Sequence, residues 1–181
     1  MASAADAPRS RRSDTHDPHG SRLAVLRVLY AADVRERDPL DVLQDLLDRR
    51  AGVGGDDTDD ELGGAPLDGF ASTLLHGLAA SRATLDDRIG RSARGWRLAR
   101  MPVVDRNVLR LAVHELLTEP TPVAVVLDEA VRLASELSTD DSGRYVNGVL
   151  ATIVDELRAE GALEAERAAE VPPGPPEGRA G

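Results

Sequence analysis

Two consecutive apolar stripes with helical spacing constrain the fold of this chain more than any other feature. Apolar residues recur at steps of three and four between residues 123 and 137, and again between residues 146 and 157. This spacing places them on one face of a helix. A short polar segment, Ser138–Ser142, joins the two stretches. The pattern predicts two amphipathic helices that pack together across a tight turn. Their apolar positions are Val123, Val126, Leu127, Ala130, Ala134 and Leu137 in the first, and Val146, Val149, Leu150, Ile153, Val154 and Leu157 in the second.

The polar segment has the composition of a helix start. Its side-chain oxygens can accept hydrogen bonds from the free backbone amides of the second helix. Ser138 and Asp141 have the spacing of a capping box, with Asp in place of the usual Glu. Gly148 lies inside the second helix, where glycine costs roughly 1 kcal/mol relative to alanine. Its simplest explanation is the close approach of another helix backbone.

Helical periodicity continues through most of the chain, and no stretch alternates with the period of two that is typical of a strand. We predict a first helix from about residue 21 and further helices over about 39–50, 66–91 and 102–117. Asp38-Pro39 and Thr121-Pro122 each predict a capping side chain followed by proline at the first helical position. The predicted fold class is therefore all-α, a single compact bundle of about six to seven helices.

We expect one folded domain over residues 21–160 between disordered tails. Residues 1–20 lack periodicity, and residues 161–181 end in a Pro/Gly-rich sequence. Residues 51–65 have the composition of a loop, and five of the six positions 56–61 are acidic. The ligand spacing of a calcium-binding loop is absent from that segment, so a solvated acidic loop is the better interpretation.

Composition and charge exclude several classes of function. The chain has no cysteine, which excludes disulfides, thiolate catalysis and Cys-ligated zinc. A formal net charge of −10 argues against non-specific binding to nucleic acid, which depends on phosphate neutralisation. No apolar run approaches the ~20 residues that span a bilayer. The N-terminus also lacks the apolar core of a signal peptide, so we expect a cytoplasmic protein.

The sequence carries no motif with catalytic or cofactor-binding spacing. Phosphate-binding loops, dinucleotide-binding glycines, metalloprotease histidines and nucleophile elbows are all absent. Asp140 and Asp141 are adjacent carboxylates, but carboxylates at a helix start are far more often caps than an acid–base pair. His16 and His19 have no third metal ligand beside them. We therefore expect a binding protein that is not an enzyme and uses no metal or cofactor.

The second helix of the pair and its turn read Asp-Ser-x-x-Tyr-Val-Asn-Gly-Val-Leu over positions 141–150. This stretch resembles the signature of the NusB family of bacterial transcription antitermination factors. The resemblance is dense over about the C-terminal half of the chain and looser in the first helix. It implies a bundle of two packed helical halves. Further matching segments are Gly95-Trp96, Asp105–Arg110, Glu115–Leu117 and Asp128–Ala130.

The resemblance implies a function in RNA binding. Family members bind the boxA element of ribosomal RNA transcripts together with NusE, a protein of the small ribosomal subunit. They act in the antitermination complex of RNA polymerase and help it to read through terminators. Their RNA contacts come from an arginine-rich segment at the start of the first helix and from the turn before the second helix of the pair. By position, the implied RNA-binding residues are Arg22, Tyr30, Asp141, Arg144 and Tyr145, with Arg11 and Arg12 further upstream.

These residue types suit RNA, although two of them have an alternative interpretation. Tyrosine stacks on unpaired bases, and arginine makes bidentate contacts with phosphate or guanine. By pattern alone, Tyr30 and Tyr145 are better interpreted as core aromatics, because both lie beside apolar runs. Pro18-His19-Gly20 stands where family members carry contiguous basic residues. Either the upstream arginines fold back on RNA binding, or the protein binds boxA more weakly and depends more on its partner.

The fourth helix and the signature stretch at the start of the last helix resemble the surface that family members offer to NusE. Arg106, Arg110 and His114 are the candidate contacts, on a face of the fourth helix that we expect to be solvated. Two other functions stay open. One is a helical protein–protein adaptor with little RNA affinity. The other is a detached NusB-like domain of a ribosomal RNA cytosine methyltransferase, whose further domain binds S-adenosylmethionine. The sequence also leaves open whether two copies pair as a homodimer.

Overall fold

The computed structural model describes residues 17–51, 67–93, 97–164 and Glu166. Helices account for most of these residues, and the described ranges contain no strand, which confirms the all-α prediction. The acidic segment 56–61 and most of both predicted tails lie outside the described residues. The helices are α1 (Pro18–Arg35), α2 (Pro39–Ala51), α3 (Gly69–Ser92), α4 (Val103–Thr118), α5 (Val123–Leu137) and α6 (Ser142–Glu160), with a 3₁₀ turn at Leu98–Arg100.

Helix α4 lies at the centre of the bundle. It packs against α1, α3, α5 and α6. Residues 107–116 of this helix are all buried. A helix that is buried around its whole circumference must pair its polar side chains within the protein, because an unpaired buried charge is strongly destabilising. The core around it is aliphatic, and its largest fully buried side chains include Leu74, Ile89, Leu109, Leu133, Leu150 and Leu157.

Helices α5 and α6 form the predicted antiparallel pair, and the glycine that brings them together is Gly143. A Cβ atom on Gly143 would lie 2.3 Å from Ser135 Oγ on α5. Gly148 is exposed, and a Cβ atom there would have no neighbour within 4 Å among the described residues. The prediction that Gly148 allows a close helix approach is therefore wrong. Close approach is needed at the start of α6, where the chain has just turned back from α5.

The predicted helix starts were right in one case and wrong in two. Asp38 Oδ1 accepts a hydrogen bond of 2.8 Å from the Leu40 amide, with Pro39 at the first helical position. Helix α5 instead begins after Pro122 without a side-chain cap, so the predicted role of Thr121 is wrong. Helix α1 begins at Pro18, three residues before the predicted start. Ser21 therefore lies inside the helix, where its hydroxyl contacts Asp68 Oδ2 at 2.9 Å.

His114 faces the interior between α4 and α3. Its exposed fraction is 6%, which corrects the expectation of a solvated face at this position. The ring lies against Gly77 of α3, where a Cβ atom would come within 2.2 Å of His114 Nε2. Burial lowers the pKa of His114 below its ordinary value. Glycine at position 77 is the condition for this ring to fit between the two helices.

Gly77→Ala is expected to lower the free energy of unfolding by about 1–3 kcal/mol, because the new methyl group forces the buried ring to move. Urea denaturation measures the change. Gly90→Ala in the same helix is the matched control, since a Cβ atom there meets open space; it should be neutral or stabilising by up to about 1 kcal/mol. Gly77→Ala should cost less stability in a His114→Ala background, where no ring lies against the new methyl group. If the losses of stability from the two changes are fully additive, the packing explanation is wrong.

Acidification is expected to destabilise the protein through His114. In the unfolded chain an imidazole binds a proton at about pH 6.5, whereas the lowered pKa delays protonation of His114 in the folded protein. The unfolded state then binds more protons, so the free energy of unfolding falls as the pH drops from about 7 toward 5. Denaturation at several pH values should show a shallower fall for His114→Gln than for the wild type. Parallel curves for the two proteins would mean that His114 contributes nothing to the pH dependence of the free energy of unfolding.

Candidate nucleic-acid interface

Arg22, the implied RNA contact at the start of α1, is buried within the bundle. Its exposed fraction is 5%. Its Nε and Nη2 atoms donate to the two carboxylate oxygens of Glu115 on α4, at 2.7 and 2.6 Å. The guanidinium also lies 5.5 Å from the ring centroid of Phe70. Burial alone would lower the pKa of Arg22, but the hydrogen bonds and charge of Glu115 raise it. The structure thus corrects the expectation that Arg22 presents its charge to RNA, because a buried partner already holds the guanidinium.

The segment Pro18-His19-Gly20 forms the first turn of α1 rather than part of a tail. Gly20 is buried, and His19 Nδ1 contacts the Glu129 carboxylate on α5. This turn therefore ties the start of α1 to α5, beside the Arg22–Glu115 pair. Arg11 and Arg12 lie outside the described residues, so their predicted contacts with RNA stay predictions.

Arg106 of α4 belongs to a charge cluster centred on Asp33 of α1. Arg106 Nη2 donates to Asp33 Oδ2 at 3.0 Å, and Arg110 Nη1 donates to the same oxygen at 3.2 Å. Arg82 of α3 donates to the other oxygen, Oδ1, at 2.6 Å. Burial alone would raise the pKa of Asp33, but the surrounding arginines lower it. One carboxylate therefore joins α1, α3 and α4.

Arg110 is buried to the same extent as Arg22. Its Nε and Nη2 atoms donate to the Asp86 carboxylate on α3 at 2.6 and 2.9 Å, and its Nη1 atom donates to Asn107 Oδ1 at 2.8 Å. Its exposed fraction is 5%. The expectation that Arg106, Arg110 and His114 form a solvated face is thus wrong for two of the three. Arg106 alone among them keeps partial exposure.

The turn between α5 and α6 is anchored by Ser142 and not by the predicted capping box. Ser142 Oγ lies 3.0 Å from Asp105 Oδ2, a carboxylate of α4 that is 2% exposed. The same hydroxyl accepts from the Thr139 amide at 3.2 Å. Asp141 makes no capping hydrogen bond through its side chain. Its carboxylate is therefore left on the exposed side of the turn, as the side chain of Arg144 is one turn further along α6.

The two tyrosines occupy different environments. Tyr30 is 49% exposed, so the interpretation of this residue as a core aromatic is wrong. Tyr145 is half-buried and packs against the core. Burial, and to a smaller extent the charge of Asp105, raises the pKa of the Tyr145 hydroxyl. Of the two rings, Tyr30 has the face that a base could stack on.

Tyr30 lines an open cavity of about 540 Å³ between α1, α2, the start of α4 and the end of α5. Most of the wall is apolar, and Arg27 and Asn107 are among its polar residues. Leu137 closes the α5 side and is followed directly by the turn that carries Asp141. Tyr30 thus lines this cavity, and the turn that the same family resemblance implies in RNA binding follows directly on Leu137, another of its lining residues. Arg27 and Asn107 were not predicted as residues of this surface. The only sequence signal for each is its position as a polar residue within an apolar helical stretch.

The described residues include no group of three or more side chains suited to hold a metal ion. The same part of the chain has no helix with the length and apolar character needed to cross a bilayer.

Arg22→Met is expected to lower the free energy of unfolding by about 3–5 kcal/mol, because Glu115 would stay buried without a cation. Glu115→Met should cost a similar amount, and the double variant much less than the sum. Urea denaturation of the four proteins gives the coupling energy. Arg132→Met, which breaks the exposed Arg132–Glu136 pair on α5, is the control and should change stability little. Additive losses at positions 22 and 115 would contradict a coupled buried pair.

Comparison with known proteins places this chain in a family. The model of the NusB family matches residues 19–155. The transcription antitermination protein NusB of Acidothermus cellulolyticus is 45% identical over 86% of this chain and 94% of its own length. The protein of the same name from Saccharopolyspora erythraea is 42% identical over 77% of this chain and 89% of its own length.

Solved structures agree with this result. The structure of T. maritima NusB is 34% identical, covers 78% of this chain and 94% of its own, and superposes with a TM-score of 0.62. A crystal structure of the antitermination factors NusB and NusE in complex with dsRNA matches with a TM-score of 0.59 at 24% identity, over 76% of this chain and 96% of that one; it supports the fold alone. The chain therefore belongs to the NusB family.

Proposed function

We propose that this protein is a transcription antitermination factor that binds the boxA element of ribosomal RNA transcripts together with NusE, and so helps RNA polymerase to read through terminators. Family membership supports the proposal, since relatives 45% and 42% identical over most of the chain are named for transcription antitermination. The proposed place of action is the cytoplasm, where bacteria transcribe ribosomal RNA. The proposed binding domain is the predicted segment 21–160, extended by α1 to Pro18.

The observation that carries the RNA-binding part is the exposed Tyr30 ring beside the α5–α6 turn. Single-stranded RNA is recognised largely by stacking of unpaired bases on aromatic rings, together with contacts to the backbone. Tyr30 offers the ring, Arg144 offers an exposed cation for phosphate, and Asp141 offers an exposed acceptor for a base amino group. Tyr145, on the first turn of α6, is half-buried and packs against the core.

The surface carries less positive charge than the sequence suggests, and this favours a shared mode of binding. Arg22 is held by Glu115 inside the bundle, and the net charge of the chain is −10. Because phosphate neutralisation supplies much of the affinity for nucleic acid, we expect this protein alone to bind RNA weakly. NusE would supply the missing contacts, and Arg11 and Arg12 would add charge at the start of the chain.

For the NusE interface, Arg106 is the candidate that retains partial exposure. Arg110 and His114 are buried, so their proposed contribution is to hold α4 and α3 in position beneath the partner. Arg106 itself is anchored by Asp33, which would limit its freedom before a partner binds and reduce the entropy lost on association.

Binding of a fluorescent boxA RNA, with and without NusE and at two salt concentrations, tests the proposal. Tyr30→Ala is expected to weaken binding about tenfold or more, because a stacked base contributes roughly 1–3 kcal/mol. Arg144→Ala should weaken binding less and reduce the salt dependence by about one phosphate contact. Arg91→Ala on α3 is the control, since that arginine is exposed and pairs only with Asp87 along its own helix among the ion pairs of the described residues.

The proposal requires RNA binding that strengthens with NusE and weakens with salt. A protein that binds NusE but gains nothing from boxA at either salt concentration is an adaptor, and the RNA-binding assignment would then be wrong. Equal binding by the wild type and by Tyr30→Ala and Arg144→Ala would place the RNA on another face of the molecule.

A further inference from the structure

We infer that the 3₁₀ turn before α4 carries a second contact surface for RNA, in which Arg97 and Arg100 bind phosphates of the strand backbone. The inference rests on the proposed RNA binding, and it adds a surface that the family resemblance does not imply. It is carried by a local reversal of charge along the chain and by two exposed cations that have no ion-pair partner within the described residues.

The segment from Arg88 to Arg106 reverses the charge of the chain. It contains six arginines and a single carboxylate, Asp105, whereas the whole chain has a formal net charge of −10. Binding to nucleic acid depends on the neutralisation of phosphates by such cations, and a basic segment of an acidic protein is where this contribution can act. The net charge of the chain therefore does not describe this part of it. The arginines of the segment are Arg88, Arg91, Arg94, Arg97, Arg100 and Arg106, of which Arg94 lies outside the described residues.

Most of the described arginines in this segment already contact a carboxylate. Such a contact neutralises the charge of the guanidinium and leaves less of it for a ligand. Arg97 and Arg100 differ, because both are exposed and neither has an ion pair among the described residues. The charge that a ligand can use is therefore concentrated on these two side chains. The paired arginines, with distances of 2.8 to 3.0 Å, are Arg88 with Glu160, Arg91 with Asp87 and Arg106 with Asp33.

The two arginines stand at the ends of one tight turn. The Arg100 amide donates to the Arg97 carbonyl at 2.8 Å, so the two Cα atoms lie within about 7 Å of each other. Leu98, between them, is half-buried and packs against the core. Two like charges at this separation repel each other and do not stabilise the fold. Their arrangement suits a ligand with closely spaced negative charges, such as the backbone of a nucleic-acid strand.

Contacts on the inner side of the turn hold it in position. Arg106 Nη1 donates to the Leu98 carbonyl at 3.4 Å, and the Met101 amide donates to the same oxygen at 3.2 Å. Met101 itself is buried, with 4% of its surface exposed. A cation on an anchored turn loses less backbone freedom on binding than a cation on an unanchored segment. The turn therefore presents Arg97 and Arg100 at a defined place on the surface.

That place lies close to the surface proposed for RNA. Val104, four residues beyond Arg100, lines the cavity beside Tyr30, so the Cα atoms of residues 100 and 104 are at most about 14 Å apart. Arg106, which holds the turn, also contacts Asp33, one turn of α1 beyond Tyr30. A strand with a base stacked on Tyr30 therefore has both arginines of the turn within reach of its neighbouring phosphates. Contacts of this kind position a strand and carry no information about its bases.

An RNA backbone explains the turn better than a protein partner does. Protein–protein interfaces bury an apolar centre from which charged residues are depleted, whereas interfaces with nucleic acid are polar and strongly positive. The turn offers exposed charge, and none of the large hydrophobic side chains that are exposed in the described ranges belongs to it. Those side chains are Tyr30, Val34, Leu47, Val125 and Leu137.

The test is a phosphate scan of an RNA that contains boxA and its flanking nucleotides, with the full chain and NusE. Each phosphate is replaced in turn by an uncharged methylphosphonate, and the Kd is measured for the wild type and for Arg97→Gln/Arg100→Gln. At neighbouring linkages, replacement should weaken wild-type binding about fourfold at about 0.15 M salt, because each phosphate contact of a single strand contributes about 0.7 to the slope of log K against log salt. The same replacements should leave binding to the double variant unchanged.

The salt dependence gives a readout that a loss of stability cannot imitate. With the unmodified RNA, Arg97→Gln/Arg100→Gln should bind about tenfold less tightly than the wild type at about 0.15 M salt, and its slope should be smaller by roughly 1.4. Arg97→Lys/Arg100→Lys keeps both charges and should retain the wild-type slope, since a lysine binds phosphate as a point charge. The control is Arg132→Gln/Arg158→Gln, which removes the same number of charges from exposed arginines that are paired with carboxylates; its slope should stay close to that of the wild type.

The possible failures are distinguishable. If Arg97→Gln/Arg100→Gln keeps the wild-type affinity and slope, the inference is overturned and the proposed function stays intact. A lysine variant that loses as much of the slope as the glutamine variant would also overturn it, because the charge would then not be what matters. A loss of NusE affinity in the glutamine variant without RNA would show that the turn contacts the protein partner instead. If the wild type binds no boxA RNA under any condition, the inference and the proposed RNA binding fall together.

Discussion

The bundle depends on the pairing of charged side chains that α4 carries into the core. Glu115 holds Arg22 of α1, and Arg110 holds Asp86 of α3 while it shares Asp33 with Arg106. Each of these contacts has a defined geometry, because an arginine fork fits a carboxylate in few orientations. Aliphatic packing supplies most of the driving force for folding, but it would tolerate small rotations of the helices. The charged contacts determine how α1 and α3 are placed against α4, and thereby where Tyr30 lies.

The same pairing explains what the sequence could and could not predict. The helices follow from the spacing of apolar residues, and that spacing is local, so α5 and α6 were predicted within a few residues. Arg110 and His114 were predicted on the surface because charged and polar residues are mostly exposed, and Arg22 was assigned to RNA by the family resemblance. Their partners lie far away in the chain; Glu115 is 93 positions from Arg22. A periodic pattern carries no information about such pairs, and the fold itself has to bring them together.

For the candidate site, the structure bears on where the predicted residues of the turn lie, and their contacts with RNA stay predictions. The exposed positions of Asp141 and Arg144 agree with the expected surface, although the anchor of the turn is Ser142 on Asp105. Tyr30 could not be assigned from its neighbours, since the residues beside it belong to the apolar stripe of α1. Its exposure follows from the way four elements meet around it and leave a cavity.

The Arg22–Glu115 pair also has a consequence for how such a chain can change over evolutionary time. Any path that exchanges the pair one residue at a time passes through a protein with a lone charge in its core, at a cost comparable to much of the stability of a small domain. Replacement by two well-packed apolar residues is nearly neutral only when both changes are present. The two positions should therefore be inherited as a unit, so that descendants vary at both or at neither. A basic residue at position 22 can in this way persist for reasons of folding alone, without any contact with RNA.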